Sequence, residues 1–138
     1  NLAAAWFLGG FLRVWLGGCD GAIERFARAM RLSPLDPETY RIQAGMAAAH
    51  LFAGRYDTAS SLADKTSAEL PSFLLAAGVA AASHALVGRT GEGERAMARL
   101  RKLDPLLRVG NLRDWLPIQR AEHLAMFADG LRRAGLPE

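Results

Sequence analysis

Two histidines, His50 and His84, stand 34 residues apart, and a Gly-Arg step begins four residues after each: His50…Gly54-Arg55 and His84…Gly88-Arg89. Imidazole titrates nearest neutral pH and is the commonest metal ligand, so the repeated pair invites a metal or an acid/base reading. Both readings need converging partners, and no Cys, Asp or Glu falls at ligand spacing beside either ring. On neighbouring helices about 10 Å apart, the two rings are too distant to share a zinc ion. The expectation is therefore core or groove histidines hydrogen-bonded locally, with His123 at the surface.

Acid/base catalysis needs two titratable groups in one cleft. Asp36, Glu38, Asp57, Glu92 and Glu94 instead sit at expected helix starts and outer faces, where carboxylates cap and solvate. There is no nucleophile elbow, phosphate loop or H-E-x-x-H segment. The single cysteine, Cys19, excludes an internal disulfide, fits a reducing, cytoplasmic setting and is expected to pack as a small apolar residue. No catalytic centre, metal or cofactor is expected.

The elements that must position these residues are helices. The chain has 138 residues, 51% hydrophobic and 22% charged, rich in Ala and Leu, with no period-two alternation. That is one all-α domain with a sizeable core. Its net charge of +3 is spread along the chain, without the dense basic stripe of a nucleic-acid binder. Arg95, Arg99, Arg101 and Lys102 form the one local basic cluster, expected on a solvated face.

Residues 1–16 carry one charge, Arg13, yet are shorter than the roughly 20 residues of a membrane span and lack a signal peptide's basic start. No membrane span is expected. Without an initiator Met, the chain is expected to be cut from something longer.

Helices are predicted over about 1–16, 22–32, from the Asp36-Pro37-Glu38 start signal to Phe52, from Asp57 to before Pro71, over 73–87 with Ser72 as cap, and over 91–103 with Thr90 as cap. Gly54 and Gly88 are the expected left-handed stops. A short helix over 106–116 and a last one from Arg120 to Ala134, with Leu124, Phe127 and Leu131 on its apolar side, complete the chain. The short connections predict three antiparallel helical hairpins.

The spacing of Trp6, Gly10, Ala22, Phe26 and Pro34 resembles the tetratricopeptide repeat, a 34-residue hairpin with the pattern W-x2-L-G-x2-Y, A-x3-F, P. A second unit carries Ala47, Gly54, Tyr56, Ala59 and Pro71, and a third Ala81, Gly88, Gly93, Met97 and Pro105. The resemblance covers residues 3–107, with units at about 3–36, 40–73 and 74–107, and three extra residues around Leu35-Asp36-Pro37. It implies a right-handed α-solenoid of three hairpins, with residues 108–138 as two capping helices. Small residues at Gly10, Ala47 and Ala81 should meet Ala22, Ala59 and Gly93 where the paired helices cross. Gln43 and Ala77 stand at the Trp position, and His50 and His84 at the Tyr position.

The tail, Gly130–Glu138 after Leu112–Pro117, is similar to the C-terminal end of multidomain bacterial proteins in which a class III adenylate/guanylate cyclase or a winged-helix domain precedes a tetratricopeptide array. A homologous role implies a protein–protein interaction, scaffolding or dimerisation module of a cyclase-type signalling protein, or else the sensor domain of a transcriptional regulator. The residues upstream of Asn1 would separate the two.

In such arrays the first helix of each hairpin lines a groove for a protein or peptide. Mapped onto this chain, those positions are Phe7, Phe11 and Val14, then Arg41, Ala44 and Ala48, then Leu75, Gly78 and Ala82, with His50 and His84 beside them. Only Arg41 could hold a carboxylate. Trp115, Leu116, Leu124 and Phe127 are expected to cap the last hairpin. Nothing is left to cover Trp6, Phe7, Phe11 and Trp15, so two chains are expected to pair through this N-terminal helix.

Overall fold

A computed structural model describes residues 2–36 and 38–138, and the expected Pro37 position in the third helix's start lies outside them. Among the described residues the chain is all-α, with no strand: α1 Leu2–Leu16, α2 Cys19–Leu32, α3 Thr39–Phe52, α4 Tyr56–Glu69, α5 Leu74–Leu86, α6 Thr90–Leu103, α7 Leu112–Trp115 and α8 Ala121–Ala134. None is long and apolar enough to cross a membrane. Helices α1/α2, α3/α4 and α5/α6 pack as pairs across turns of two or three residues, α1 and α5 both pack on α3, and α8 lies on α5, α3 and α6.

The repeated phrase builds the turns. Gly54 and Gly88 adopt φ of 83° and 84°, open to glycine at little steric cost. With the chain turned there, the Arg55 N–H returns to the His50 carbonyl at 2.8 Å and the Arg89 N–H to the His84 carbonyl at 2.9 Å. Each bond satisfies a carbonyl that the helix end leaves open.

The core runs through the places where small residues allow close approach. Ala22, Ala47, Ala59 and Ala81 are fully buried, and a Cβ added to Gly93 would meet the α5 backbone at 3.3 Å. At Gly10 and Gly45 an added Cβ would fall 2.5 Å from the Phe26 ring, so that ring is seated between two glycines on α1 and α3. Filling either space would overpack the core.

Several local expectations are corrected. Ser72 caps nothing: Phe73 holds the N-cap of α5, in extended backbone without a side-chain bond. Thr90 lies inside α6, and its hydroxyl donates to the Gly88 carbonyl at 3.5 Å. Asp36 binds the Glu38 N–H at 2.8 Å, but the N-cap residue of α3 is Glu38. Residues 106–111 are not α-helical. Asp104 Oδ1 accepts the Leu106 N–H, and the Asn111 side chain binds the Arg108 N–H and the Leu106 carbonyl. Such side-chain bonds compete with a helix, leaving a 3₁₀ turn at Val109–Asn111 and a single turn for α7.

Candidate functional site

The expected groove divides into a filled stretch and an open one. Val14, Ala44, Ala48 and Ala82 are buried, so none of them is offered to a partner. Helix α8 fills the α3–α5 part of the groove. Gly130 meets Ala82 so closely that an added Cβ would lie 2.8 Å from the Ala82 Cβ. Phe127 meets Phe52 edge-to-face at 6.3 Å, and His123 stacks on Phe52 at 4.9 Å. His123 is therefore 7% exposed and interior, against the surface position expected of it. Trp115 closes over Gly78, and Gln119 donates its backbone N–H to the Trp15 carbonyl at 2.9 Å. The tail thus covers more than the last hairpin and reaches back to the end of α1.

The open stretch is an apolar cleft of about 460 Å³. Phe7, Leu8 and Phe11 from α1, Arg41 from α3, Ser72–Leu75 at the start of α5, and Trp115 and Leu116 from the tail line it. Leu75 is itself largely buried in the floor. A second cleft of about 330 Å³ lies across Phe7, Leu8 and Arg41, between α1 and the α2–α3 connection. Arg41 is exposed and paired with Glu38 at 3.1 Å. It is the single charged residue of the larger cleft. Sequence reasoning missed Leu8, Ser72, Phe73 and Leu74, which occupy no groove position in the repeat register.

The aromatic face of α1 is not bare. Phe11 packs edge-to-face on Phe26 at 4.9 Å and on Phe7 at 5.1 Å, and Trp6 lies under the guanidinium groups of Arg25 and Arg28. Trp6, Phe7, Phe11 and Trp15 are half-buried against the core. What is exposed is a different set: Leu2, Leu8, Leu12 and Leu16, each 52–65% accessible.

The two histidines share one device and differ in everything around it. Arg55 Nε donates to His50 Nδ1 at 2.8 Å, and Arg89 Nε to His84 Nδ1 at 2.9 Å. Each arginine then reaches back to an aspartate at the head of the previous hairpin's second helix: Arg55 to Asp20 at 3.3 Å, Arg89 to Asp57 at 2.9 Å. His50 and His84 therefore look toward the preceding hairpin, not the following one.

Around His84 the expectation of no nearby carboxylate fails: Asp64 Oδ2 lies 2.9 Å from Nε2, and Glu92 Oε2 lies 3.0 Å from Nδ1. Asp57 and Glu92 thus serve ion pairs as well as helix starts. The two ring nitrogens face different carboxylates, and no group of three ligands among the described residues could hold a metal. Arg95 and Arg99 border the same polar hollow, so the basic cluster of α6 is not all solvated. Burial pushes the Cys19 thiol above its ordinary range, helped by Asp20, which lowers its thiolate content and its nucleophilicity.

Compared with known proteins, the chain matches no family model and no curated sequence.

Proposed function

We propose that the chain is a non-catalytic protein–protein interaction module, built as a degenerate tetratricopeptide solenoid of three hairpins in a right-handed superhelix, closed by its tail. The 34-residue period, the close approach of Gly93 to Ala81 and the stacked helix pairs support this reading. The observation that carries it is the apolar cleft where α1, α3 and α5 converge beside α7. A cleft of this size bounded by aromatic rings takes a short apolar segment of a protein or peptide. As parent we propose a cyclase-type bacterial signalling protein, whose catalytic part the array would scaffold; a transcriptional regulator is the alternative. A cytoplasmic setting fits both.

The test is peptide selection against the chain, followed by NMR mapping of the strongest binder. Its footprint should fall on Phe73, Leu74, Arg41 and Trp115, and Phe73→Glu should weaken it at least about tenfold. Full-strength binding by a well-folded Phe73→Glu variant would sink the cleft as the site.

A further inference from the structure

The exposed face of α1 carries a second surface, on the outer side of the helix, which borders the cleft at Leu8 and runs away from it through Leu12 and Leu16. Leu8, Leu12 and Leu16 with Leu2 form a ridge along α1, with Ala5 and Gly9 between them. At 1.5 Å per residue, the 15 residues of α1 carry that ridge over about 22 Å. Beside it stand Arg13, Arg25 and Arg28, none in an ion pair among the described residues. Arg25 and Arg28 lie over Trp6 at 5.9 and 5.2 Å. The Nη1 atoms of Arg13 and Arg25 both lie within 4 Å of the point where a Gly21 Cβ would stand. No ion pair among the described residues neutralises them, Glu24 on the same helix included, and like charges this close favour a bound anion.

We propose that this face lays α1 on an anionic lipid bilayer, the leucine ridge entering the headgroup boundary and Arg13, Arg25 and Arg28 meeting lipid phosphates. Leucines along one side, arginines at the rim and a tryptophan between them is the composition of an interfacial helix. The helix is too short to span, so it lies on the surface. The charges choose between occupants. A second copy paired antiparallel through the same ridge would bring six arginines along one edge, whereas anionic headgroups neutralise them.

Flotation of the whole chain with vesicles tests this. With phosphatidylcholine–phosphatidylglycerol vesicles it should partition about a hundredfold more strongly than with phosphatidylcholine alone, three arginines each adding surface attraction. Rising salt should erase that preference. Leu12→Glu with Leu16→Glu lies on exposed positions outside the cleft and should abolish flotation with unchanged helical circular dichroism. Arg13→Gln, Arg25→Gln and Arg28→Gln together should bring partition down to the neutral-vesicle level. Absence of flotation, equal partition into both vesicle types, or an undiminished triple variant overturns the proposal. So does a stable dimer in sedimentation that Leu12→Glu dissociates while lipid has no effect.

Discussion

The seam between α2 and α3 and the seam between α4 and α5 occupy equivalent places and are held by the same His–Arg–Asp clasp, yet they solve the packing problem in opposite ways. At the first seam a large ring on the second helix, Phe26, faces Gly45 on the next first helix. In register, Phe26 corresponds to Ala63 and Gly45 to Val79, all buried. The volume has moved from one side of the seam to the other. The polar rim changes too. His84 has Asp64, Glu92 and, through Arg89, Ser60; the positions matching these around His50 are Ala27, Thr58 and Ile23. The two seams therefore share the turn, while which partner supplies the bulk, and how many charges surround the ring, is free to differ.

The largest effect should come from breaking the volume exchange. Phe26→Ala removes a ring with 0% exposure and should cost about 3–5 kcal/mol. Gly45→Val alone should cost about 1–3 kcal/mol by overpacking against that ring. Combined, the two rebuild the α4–α5 arrangement at the α2–α3 seam, so the double variant should be at least about 1 kcal/mol more stable than additivity gives. Urea midpoints of the four proteins measure the coupling. Strict additivity would break the comparison.

The histidines come next. His84 is 5% exposed, accepts from Arg89 at Nδ1 and meets Asp64 at Nε2, so His84→Ala leaves a cavity and strips Arg89 and Asp64 of their ring partner, which should cost about 2–3 kcal/mol. His50 is half-buried with Arg55 as its ring partner, and His50→Ala should cost no more than about 1 kcal/mol. Equal losses by urea denaturation would mean that the surrounding charges do not distinguish the two sites. Smaller still are the outer arms of the clasps. Asp20 is almost fully exposed, and Asp20→Asn should fall within about 0.5 kcal/mol of zero. Asp57→Asn, acting on an arginine also tied to Ser60, should be measurably worse in the same assay.

How much of this was legible follows from what repeats. The glycine stops at Gly54 and Gly88, the approach of Gly93 to Ala81 and the pairing of helices come from local chemistry, and they were readable in the sequence. Asp64 and Glu92 were not, because they come from two other helices at positions where the preceding unit has Ala27 and Thr58. The destination of α8 was half readable. Phe127 and Leu131 marked its apolar side, but no period in the chain says that this side would settle on Ala82 and Phe52 and fill the groove. His123 was misplaced for the same reason: its burial comes from a ring on α3, 71 residues away in sequence.

The smallest effect is also the most direct probe of the clasp. Burial lowers the pKa of His50 below its ordinary 6.5, the positive charge of Arg55 lowers it further, and Asp20 works against both. The folded chain thus holds that proton less tightly than the unfolded one. His50's contribution to stability is intact above about 6.5 and falls as pH drops through the lower folded value. Burial and Arg120 shift His123 the same way, against Glu122, so the two slopes add on acidification. In an NMR titration the His50 ring should show a midpoint below 6.5. Arg55→Gln should move that midpoint upward but not all the way, since burial remains. A midpoint that stays put would mean that the guanidinium does not face Nδ1 in solution, and the first clasp would then be a turn without its side-chain lock.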